Sequence, residues 1–446
     1  MLMKIKFSPP QILVLGFLCV ILIGAILLTL PISSTKGCSF IDALFTSTSA
    51  VCVTGLNVKD TPNDFSFFGQ IIILLLIQIG GLGYMTSATI IALLIGKKIG
   101  ITERLTIKEG LNVETLEGIV RFTKGVLLFT CIFELSGALI LSIRFLPDYP
   151  FQDAFWYGLF HAVSAFNNAG FSLFSDNLMR YRGDITVNVI ITTLIIVGGI
   201  GFIVVRDIYH FQRKEVIKLS QHTKIVLTTT AILIIVGAVS IYLLEATNPK
   251  TFMNMPFHEK ILVSYFSSVT PRTAGFNTVD YSLLRPETLF LTIILMFIGA
   301  SPGSTGGGVK TSTFAVVIAS LYATIRGITH TVLFKRRVPA DTVSKSFLLI
   351  TLAAILCTIS THFIITTQNA QYLSAMFEVT SAFGTVGLSV GDGGVKSLSA
   401  LFSPIGKLAI SFTMFVGRLG PLTLAIALTK KAEERFKYPE GRVIIG

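Results

Sequence analysis

Four short strips, each ending in glycine, are the part of this sequence best suited to binding chemistry. They are Cys52, Val53, Thr54 and Gly55; Asn167, Asn168, Ala169 and Gly170; Arg272, Thr273, Ala274 and Gly275; and Gly384, Thr385, Val386 and Gly387. Glycine at the last position permits backbone angles that a Cβ would restrict, so the carbonyl groups of a strip can be aimed at one point. Carbonyl rings of this kind replace the hydration shell of a cation, which makes a K⁺ filter the leading hypothesis.

Each strip belongs to a longer pattern that recurs four times. The glycines are separated by 115, 105 and 112 residues, and an aromatic residue stands ten positions before each. A second motif, whose first glycine lies 24 to 30 residues later, reads IGGLG from Ile79, VGGIG from Val197, IGASPG from Ile298 and VGRLG from Val416. So regular a period predicts an internal array. The alternative is that the glycines only allow close helix packing, as small residues do in membranes.

The composition places these repeats in a lipid bilayer. Of the 446 residues, 52% are hydrophobic and 13% are charged, and the mean hydropathy is +0.75. These values exclude an ordinary soluble enzyme. The five cysteines and six histidines show neither metal-ligand nor disulfide spacing. We therefore predict a membrane protein that is not an enzyme, binds no organic cofactor and has no nucleic-acid partner.

Eight apolar runs are long enough to span a membrane, which takes about 20 residues. They cover residues 11–30, 67–96, 124–143, 185–205, 225–244, 288–325, 346–366 and 403–428. Shorter segments at 39–51, 152–166, 258–270 and 372–382 are predicted to be half-length helices that enter the membrane and return. The fold class is thus an all-α integral membrane protein of four tandem helix, pore-loop, helix repeats, with eight transmembrane helices around one central pore. We assign the repeats to residues 1–96, 97–205, 206–325 and 326–446, the last with a cytoplasmic tail.

The distribution of positive charge predicts the orientation. The N-terminus, the three linkers between repeats and the C-terminal tail carry 23 of the 36 Lys and Arg residues. By the positive-inside rule both termini are cytoplasmic, so the half-length helices enter from outside. Their dipoles would then point negative ends toward the membrane centre, which favours a cation there.

One long run, in the third repeat, cannot be a continuous helix, because Pro302 and several glycines interrupt it. The interruption consists of Gly299, Ala300, Ser301, Pro302, Gly303, Ser304, Thr305, Gly306, Gly307 and Gly308. Irregular backbone at this depth must be enclosed or face water, so we expect a movable gate below the strips; a static kink is the alternative. A phosphate-binding loop is excluded, because Val309 separates Gly308 from Lys310 and the segment lies in a membrane helix.

Two cations near this interruption are functional candidates, since charge inside a membrane is costly. Arg418 is expected to hydrogen-bond the free carbonyl groups of the 299–308 loop, either as part of the gate or only as a structural anchor. Lys310 is expected to reach the cytoplasmic rim.

Other polar residues in the apolar region are expected to serve structure. Arg272 should turn back to tie down its strip, because a charge on the axis would repel cations. Asn167 and Asn168 should do the same through amide hydrogen bonds. Glu134 is the acid that we place deepest in the bilayer. We expect it to form a buried pair or to be a protonated packing residue, rather than to take part in transport.

The strips in their contexts CVTGL, NNAGF, RTAGF and TVGLS, with FSPPQILVLGF near the start and FVGRLGPLT and KYPEGRVIIG near the end, resemble the Trk/Ktr/HKT superfamily of potassium transporters. The likeness covers nearly the whole chain and is greatest to bacterial Ktr-type membrane subunits. It implies K⁺ uptake across the bacterial plasma membrane, K⁺ held by backbone carbonyls, a homodimer, and control by a cytoplasmic ring of RCK-type nucleotide-binding subunits. It leaves open whether Na⁺ is a coupling or activating ion. Cys52 stands where relatives often have threonine, which a backbone filter should tolerate.

Two other functions compete with a channel-like pore. A carrier coupled to Na⁺ or H⁺ would work by alternating access, but such carriers usually pair two halves around broken helices. A membrane scaffold would leave the glycine strips unexplained. Only the fourth strip approximates the TVGYG filter of K⁺ channels, so weaker discrimination between K⁺ and Na⁺ is expected.

Overall fold

The structure is a computed structural model that describes residues 8–83, 105, 119–391 and 396–429. It is built from four tandem repeats, each with a long first helix, a short pore helix, a glycine strip and a second helix. The helices in chain order are α1 (Pro9–Thr29), α2 (Phe40–Val51), α3 (Thr61–Asp64), α4 (Phe67–Leu82), α5 (Ile119–Phe145), α6 (Phe151–Phe166), α7 (Ile185–Gly199), α8 (Phe202–Gln212), α9 (Gln221–Glu245), α10 (Phe257–Val269), α11 (Pro286–Phe297), α12 (Thr311–Ile325), α13 (Ala340–Gln368), α14 (Tyr372–Gly384), α15 (Pro404–Leu419) and α16 (Pro421–Leu428). Short 3-10 turns lie at Met179–Tyr181, Tyr281–Leu283 and Leu398–Leu401, and strands β1 (Val332–Leu333) and β2 (Arg336–Arg337) form a small antiparallel hairpin.

The first helices α1, α5, α9 and α13 are each long and apolar enough to cross a membrane. Their apolar side chains do not all turn inward: Leu139 on α5 and Leu243 on α9 are 63% and 70% exposed. Such surface suits lipid, and it confirms the membrane fold that the composition predicts.

The four pore helices α2, α6, α10 and α14 confirm the predicted half-length segments. Each has 12 to 16 residues, too few to span. They are packed inside the first helices; Ser47 on α2 donates to the Ile21 carbonyl at 2.7 Å, and Gly24 leaves room for this approach. The pore helices therefore form the inner layer of the molecule.

The second helices are broken, where continuous spans were predicted over 185–205 and 403–428. Helices α7 and α8 are bent by 98° at residues 199–202, and α15 and α16 by 96° at 419–421. The cause is local: Gly201 and Gly420 have φ of 95° and 87°, outside the helical region, and Pro421 follows the second bend. In the first repeat α4 ends at Leu82, and the rest of the predicted 67–96 span lies outside the described residues.

The second glycine motif has a packing role in three repeats. Its first glycine lies against the last residues of the repeat's own pore helix, so closely that a Cβ would overlap a carbonyl oxygen. The distance from the added Cβ to the carbonyl oxygen would be 2.0 Å for Gly80 and Val51, 1.9 Å for Gly198 and Phe166, and 2.0 Å for Gly417 and Phe383. In the third repeat Gly299 instead faces the carbonyl of Gly307 at 2.3 Å, because the interrupted loop folds back there.

Candidate functional site

The four glycine strips meet in one closed ring. A Cβ built on Gly55 would lie 2.4 Å from the carbonyl oxygen of Ala169, the residue before the next strip's glycine. The same relation holds for the other strips. A Cβ built on Gly170 would lie 2.8 Å from the Ala274 carbonyl oxygen, one on Gly275 2.3 Å from that of Val386, and one on Gly387 2.2 Å from that of Thr54. Each strip therefore contacts the next in chain order, the fourth contacts the first, and none of the glycines has room for a side chain.

Two positions of every strip adopt the left-handed backbone region. The final glycines Gly55, Gly170, Gly275 and Gly387 have φ of 89°, 70°, 76° and 94°. Two residues earlier, Val53, Asn168, Thr273 and Thr385 have φ of 56°, 59°, 68° and 50°. A non-glycine residue in this region costs about 1–3 kcal/mol, so the packing around each strip must hold it in place. The same backbone path thus occurs in all four repeats.

The N–H groups of the strips turn back toward the pore helices. The backbone bonds run from Thr54 to Ser49 (2.8 Å), Ala169 to Ser164 (2.7 Å), Ala274 to Thr270 (2.9 Å) and Val386 to Ser381 (2.8 Å). The hydroxyls of Ser49 and Ser381 also accept from the N–H groups of Gly55 and Gly387, both at 3.0 Å. Among the described residues, no group donates to a carbonyl oxygen of the strips. Buried carbonyl groups are nearly always paired, so these unpaired oxygens could coordinate a ligand.

A small polar cavity of about 40 Å³ opens at one end of the ring. Its lining includes Gly55, Gly275 and Gly387, with Asn57 and Lys396 beside them. We call this cavity the mouth. Its lining consists of strip glycines and residues that follow them in the chain, so the mouth lies where the strips end.

Asn167 holds the second strip through its amide, as predicted. Its Nδ2 donates to Glu134 at 2.8 Å, to Gln78 Oε1 at 3.0 Å and to the Val163 carbonyl at 2.9 Å. Gln78 Nε2 donates to the other Glu134 oxygen at 3.2 Å. The buried Glu134 carboxylate is thus bonded by two amides directly behind the second strip.

The third strip is bonded to the second through threonine and asparagine. The Arg272 side chain is buried and its Nε has no hydrogen-bond partner among the described residues, so a role of Arg272 in tying down the strip stays a prediction. In the orientation that satisfies its amide, Asn168 accepts from the Thr273 hydroxyl at 3.1 Å and donates to the carbonyls of Ala165 and Ile195. This bond between the second and third strips, with the main chain, already fixes the loop.

The interrupted 299–308 segment lies against the ring at the end opposite the mouth. Gly307 N donates to the Thr385 hydroxyl at 2.9 Å, and a Cβ on Gly306 would lie 2.0 Å from the Thr273 hydroxyl oxygen. The segment therefore contacts the third and fourth strips directly.

The same segment is also bonded to the bend of the second repeat. Ser301 N donates to the Gly199 carbonyl at 3.0 Å and Thr305 N to that of Gly198 at 3.3 Å. In return, Phe202 N donates to the Gly303 carbonyl at 2.9 Å. The bends at the ends of the second helices thus supply unpaired backbone groups that the loop satisfies.

Arg418 and Lys310 both donate to this loop. The Arg418 guanidinium bonds the Thr305 carbonyl, as predicted, and also the carbonyls of Gly80 and Gly81 at the end of α4. Lys310 Nζ donates to the Gly306 carbonyl at 2.7 Å. Lys310 thus folds back onto the loop instead of reaching the cytoplasmic rim, because its ammonium satisfies carbonyl groups that no helix pairs.

Sequence reasoning did not single out Glu378, a buried acid on α14. Its side chain is fully buried and accepts from Ser389 and Ser399 near the mouth. The signal was an acid inside the otherwise apolar and hydroxylic pore segment FEVTS.

Comparison with known protein families supplies the context for this geometry. Residues 8–438 match the model of the TrkH family, described as cation transport proteins. The chain is 45% identical to Ktr system potassium uptake protein B of Bacillus subtilis, with 99% of this chain and 98% of the relative covered. It is 41% identical to the protein of the same name from Vibrio alginolyticus, covering 99% and 96%. It is 39% identical to the potassium/sodium uptake protein NtpJ of Enterococcus hirae, covering 99% and 98%.

A solved structure shares the fold. The crystal structure of the potassium transporter TrkH from Vibrio parahaemolyticus superposes with a TM-score of 0.73 at 19% identity, over 96% of this chain and 86% of that one.

Proposed function

Because the chain belongs to the TrkH family of cation transport proteins and is a multi-pass membrane protein that transports potassium, we propose that K⁺ crosses it through the ring of glycine strips. One observation carries this proposal: the four strips form a closed ring whose buried carbonyl oxygens have no partner among the described residues. Such oxygens can replace the water around a dehydrated cation.

The proposed selectivity filter consists of residues 52–55, 167–170, 272–275 and 384–387. The carboxyl ends of the four pore helices lead into it, so the negative ends of their dipoles favour a monovalent cation there. The strips differ in sequence, which supports a filter less symmetric than that of a tetrameric channel.

The proposed gate is the 299–308 loop, together with Lys310 and Arg418. It lies under the third and fourth strips and is held by hydrogen bonds from Lys310 and Arg418 rather than by a regular helix. Movement of the loop away from the ring would open the path.

The proposed orientation puts the mouth outside a bacterial plasma membrane and both termini in the cytoplasm. It is supported by the excess of Lys and Arg in the linkers between repeats, which the positive-inside rule assigns to the cytoplasm. K⁺ then meets the filter first and the loop second, as uptake requires.

We also propose that the chain works as a homodimer under a cytoplasmic ring of RCK-type, nucleotide-binding regulatory subunits. Relatives are named as part of a Ktr system, and basic linkers would face such a ring. Na⁺ is proposed as an activating or coupling ion, because one relative is named a potassium/sodium uptake protein.

The broken second helices favour one alternative, an Na⁺- or H⁺-coupled carrier. Rb⁺ uptake into proteoliposomes distinguishes the two. A channel-like pore carries Rb⁺ down its own gradient when the concentrations of Na⁺ and H⁺ are equal on both sides. A strict requirement for one of those gradients would favour the carrier.

The filter is tested with Gly387→Ser, because a side chain there meets the Thr54 carbonyl. The variant should lose K⁺ preference over Na⁺ in growth rescue of a K⁺-uptake-deficient bacterium and in flux competition. Gly37→Ser is the matched control, since Gly37 has φ of 79° but a Cβ built on it would have no neighbouring atom within 4 Å. Retained selectivity in Gly387→Ser would remove the ring from the ion path.

The gate is tested with Arg418→Ala, which deprives the carbonyls of Thr305, Gly80 and Gly81 of a charged donor. Hydrogen bonds to charged groups contribute about 1.5–3 kcal/mol, so Rb⁺ flux without regulatory subunits should rise clearly. Arg326→Ala, at an exposed site, is the control. An Arg418→Ala protein that folds and transports like wild type would leave Arg418 as a structural anchor.

A further inference from the structure

A fixed positive charge stands at the mouth of the ring. Of the residues that line the mouth, Lys396 is the only charged one among those that the structure describes. No carboxylate in the described part of the chain lies within ion-pair distance of its ammonium.

The segment that carries Lys396 is bonded across the mouth. We call residues 396–399 the strap. Ser397 donates to the Asn57 carbonyl from its N–H at 2.9 Å and from its hydroxyl at 3.0 Å. Leu398 N donates to the Ser389 hydroxyl at 2.8 Å. The strap therefore joins the fourth repeat to the exit of the first strip.

Glu378 anchors the strap from behind. Its carboxylate is fully buried and accepts from the Ser389 hydroxyl at 2.6 Å, the Ser399 N–H at 2.9 Å and the Ser399 hydroxyl at 2.5 Å. A buried carboxyl group is costly to leave without hydrogen-bond partners. These three donors hold the strap, and with it the backbone of Lys396, in one position.

We propose that Lys396 is a specificity-determining residue that sets which cations reach the filter. This proposal rests on the passage of K⁺ through the ring. A fixed positive charge raises the energy of a nearby cation in proportion to the ion's charge. It therefore lowers the local concentration of K⁺ by some factor and that of Mg²⁺ or Ca²⁺ by the square of that factor. The mouth gives up some affinity for K⁺ and gains exclusion of divalent ions.

The direct test is Lys396→Gln in Rb⁺ or K⁺ uptake at low ionic strength. The apparent KM for K⁺ should fall by roughly two- to tenfold, and less in high concentrations of an impermeant salt. The Mg²⁺ concentration that half-inhibits uptake should fall by the square of the KM factor. Lys396→Arg should keep wild-type values. Lys250→Gln removes a charge from an exposed site on the same face and controls for general surface potential.

The anchoring role is tested by Ser399→Ala, which removes one donor to Glu378, and by Glu378→Gln. Each should shift the KM in the direction of Lys396→Gln and add nothing in the Lys396→Gln background. Ser399→Ala keeps the test valid if Glu378→Gln does not fold.

Three results would overturn the proposal. The first is an unchanged KM in Lys396→Gln, and the second is an equal KM shift in Lys250→Gln. The third is that Mg²⁺ does not inhibit uptake, or that its half-inhibiting concentration changes by no larger a factor than the KM. If Gly387→Ser still alters selectivity, any of these results leaves the filter assignment standing. A rise in the KM of Lys396→Gln would likewise contradict the proposed sign.

Discussion

The hydroxyl of Thr385, in the fourth strip, accepts a hydrogen bond of 2.9 Å from the backbone N–H of Gly307, in the interrupted loop. This bond joins the proposed filter to the proposed gate without an intermediary. Thr385 has a left-handed backbone conformation with φ of 50°, so the backbone path of the strip determines where its hydroxyl lies. A change in the filter can therefore displace the loop, and a movement of the loop can displace the filter.

Thr385→Val keeps the shape of this side chain and removes the acceptor. A buried N–H left unpaired costs about 1–3 kcal/mol, and a shift of that size changes the ratio of docked to undocked loop by roughly 5- to 150-fold. Rb⁺ flux through purified protein without regulatory subunits should rise accordingly.

Thr130→Val is the control for this experiment, because the Thr130 hydroxyl is buried and has no hydrogen-bond partner among the described residues. Its flux should match wild type. Equal flux in Thr385→Val and Thr130→Val would show that the loop is not held in place by this bond.

The sequence predicted the repeats because the features that define them are local. A glycine that needs positive φ and an aromatic residue ten positions before it both recur at a fixed spacing, as Gly387 and Phe377 do. The bends at Gly201 and Gly420 were missed because apolar composition alone does not distinguish a straight span from a broken one. The hydrogen bonds of Lys310 and Glu378 depend on how the chain folds back within a repeat, and the sequence carries no record of those distances.

Glu134 offers a test of whether the scaffold behind the ring controls selectivity. Its two oxygens accept from Asn167 and Gln78, and Asn167 is the first residue of the second strip. Glu134→Gln replaces one acceptor by an N–H₂ group that faces a donor. The strip should then shift and K⁺ over Na⁺ preference should fall, as measured by competition of Na⁺ with Rb⁺ uptake.

Glu245→Gln is the matched control for a lost buried carboxylate. Glu245 is fully buried and accepts from Asn248, Thr251 and Thr288, away from the strips. Both variants should lose about 1–3 kcal/mol of stability, but only Glu134→Gln should change selectivity. Equal selectivity in the two would assign Glu134 to packing alone.

The ion pair between Asp42 and Lys407 predicts how stability depends on pH. Lys407 Nζ lies 2.7 Å from Asp42 Oδ1 and joins the start of α2 to the start of α15 at the mouth face. Partial burial alone would raise the pKa of the Asp42 carboxyl, but hydrogen bonds with Lys407 and Ser39 and the charge of Lys407 hold this pKa below its ordinary value. The stabilisation is therefore fully present above the carboxyl's unfolded pKa of about 3.9 and is lost as pH falls through the lower folded pKa.

Asp42→Asn should accordingly lower the Tm of the detergent-solubilised protein at pH 7, by the equivalent of about 1 kcal/mol or less. The difference from wild type should shrink as the pH falls below about 3.9, because the stabilisation is lost as the pH falls through the lower folded pKa. Asp341→Asn removes the pair with Lys345, which has the same 2.7 Å separation but side chains 74% and 61% exposed, and should change the Tm little at any pH. A Tm difference between Asp42→Asn and wild type that persists unchanged at low pH would mean that the charge of Asp42 does not join the first and fourth repeats.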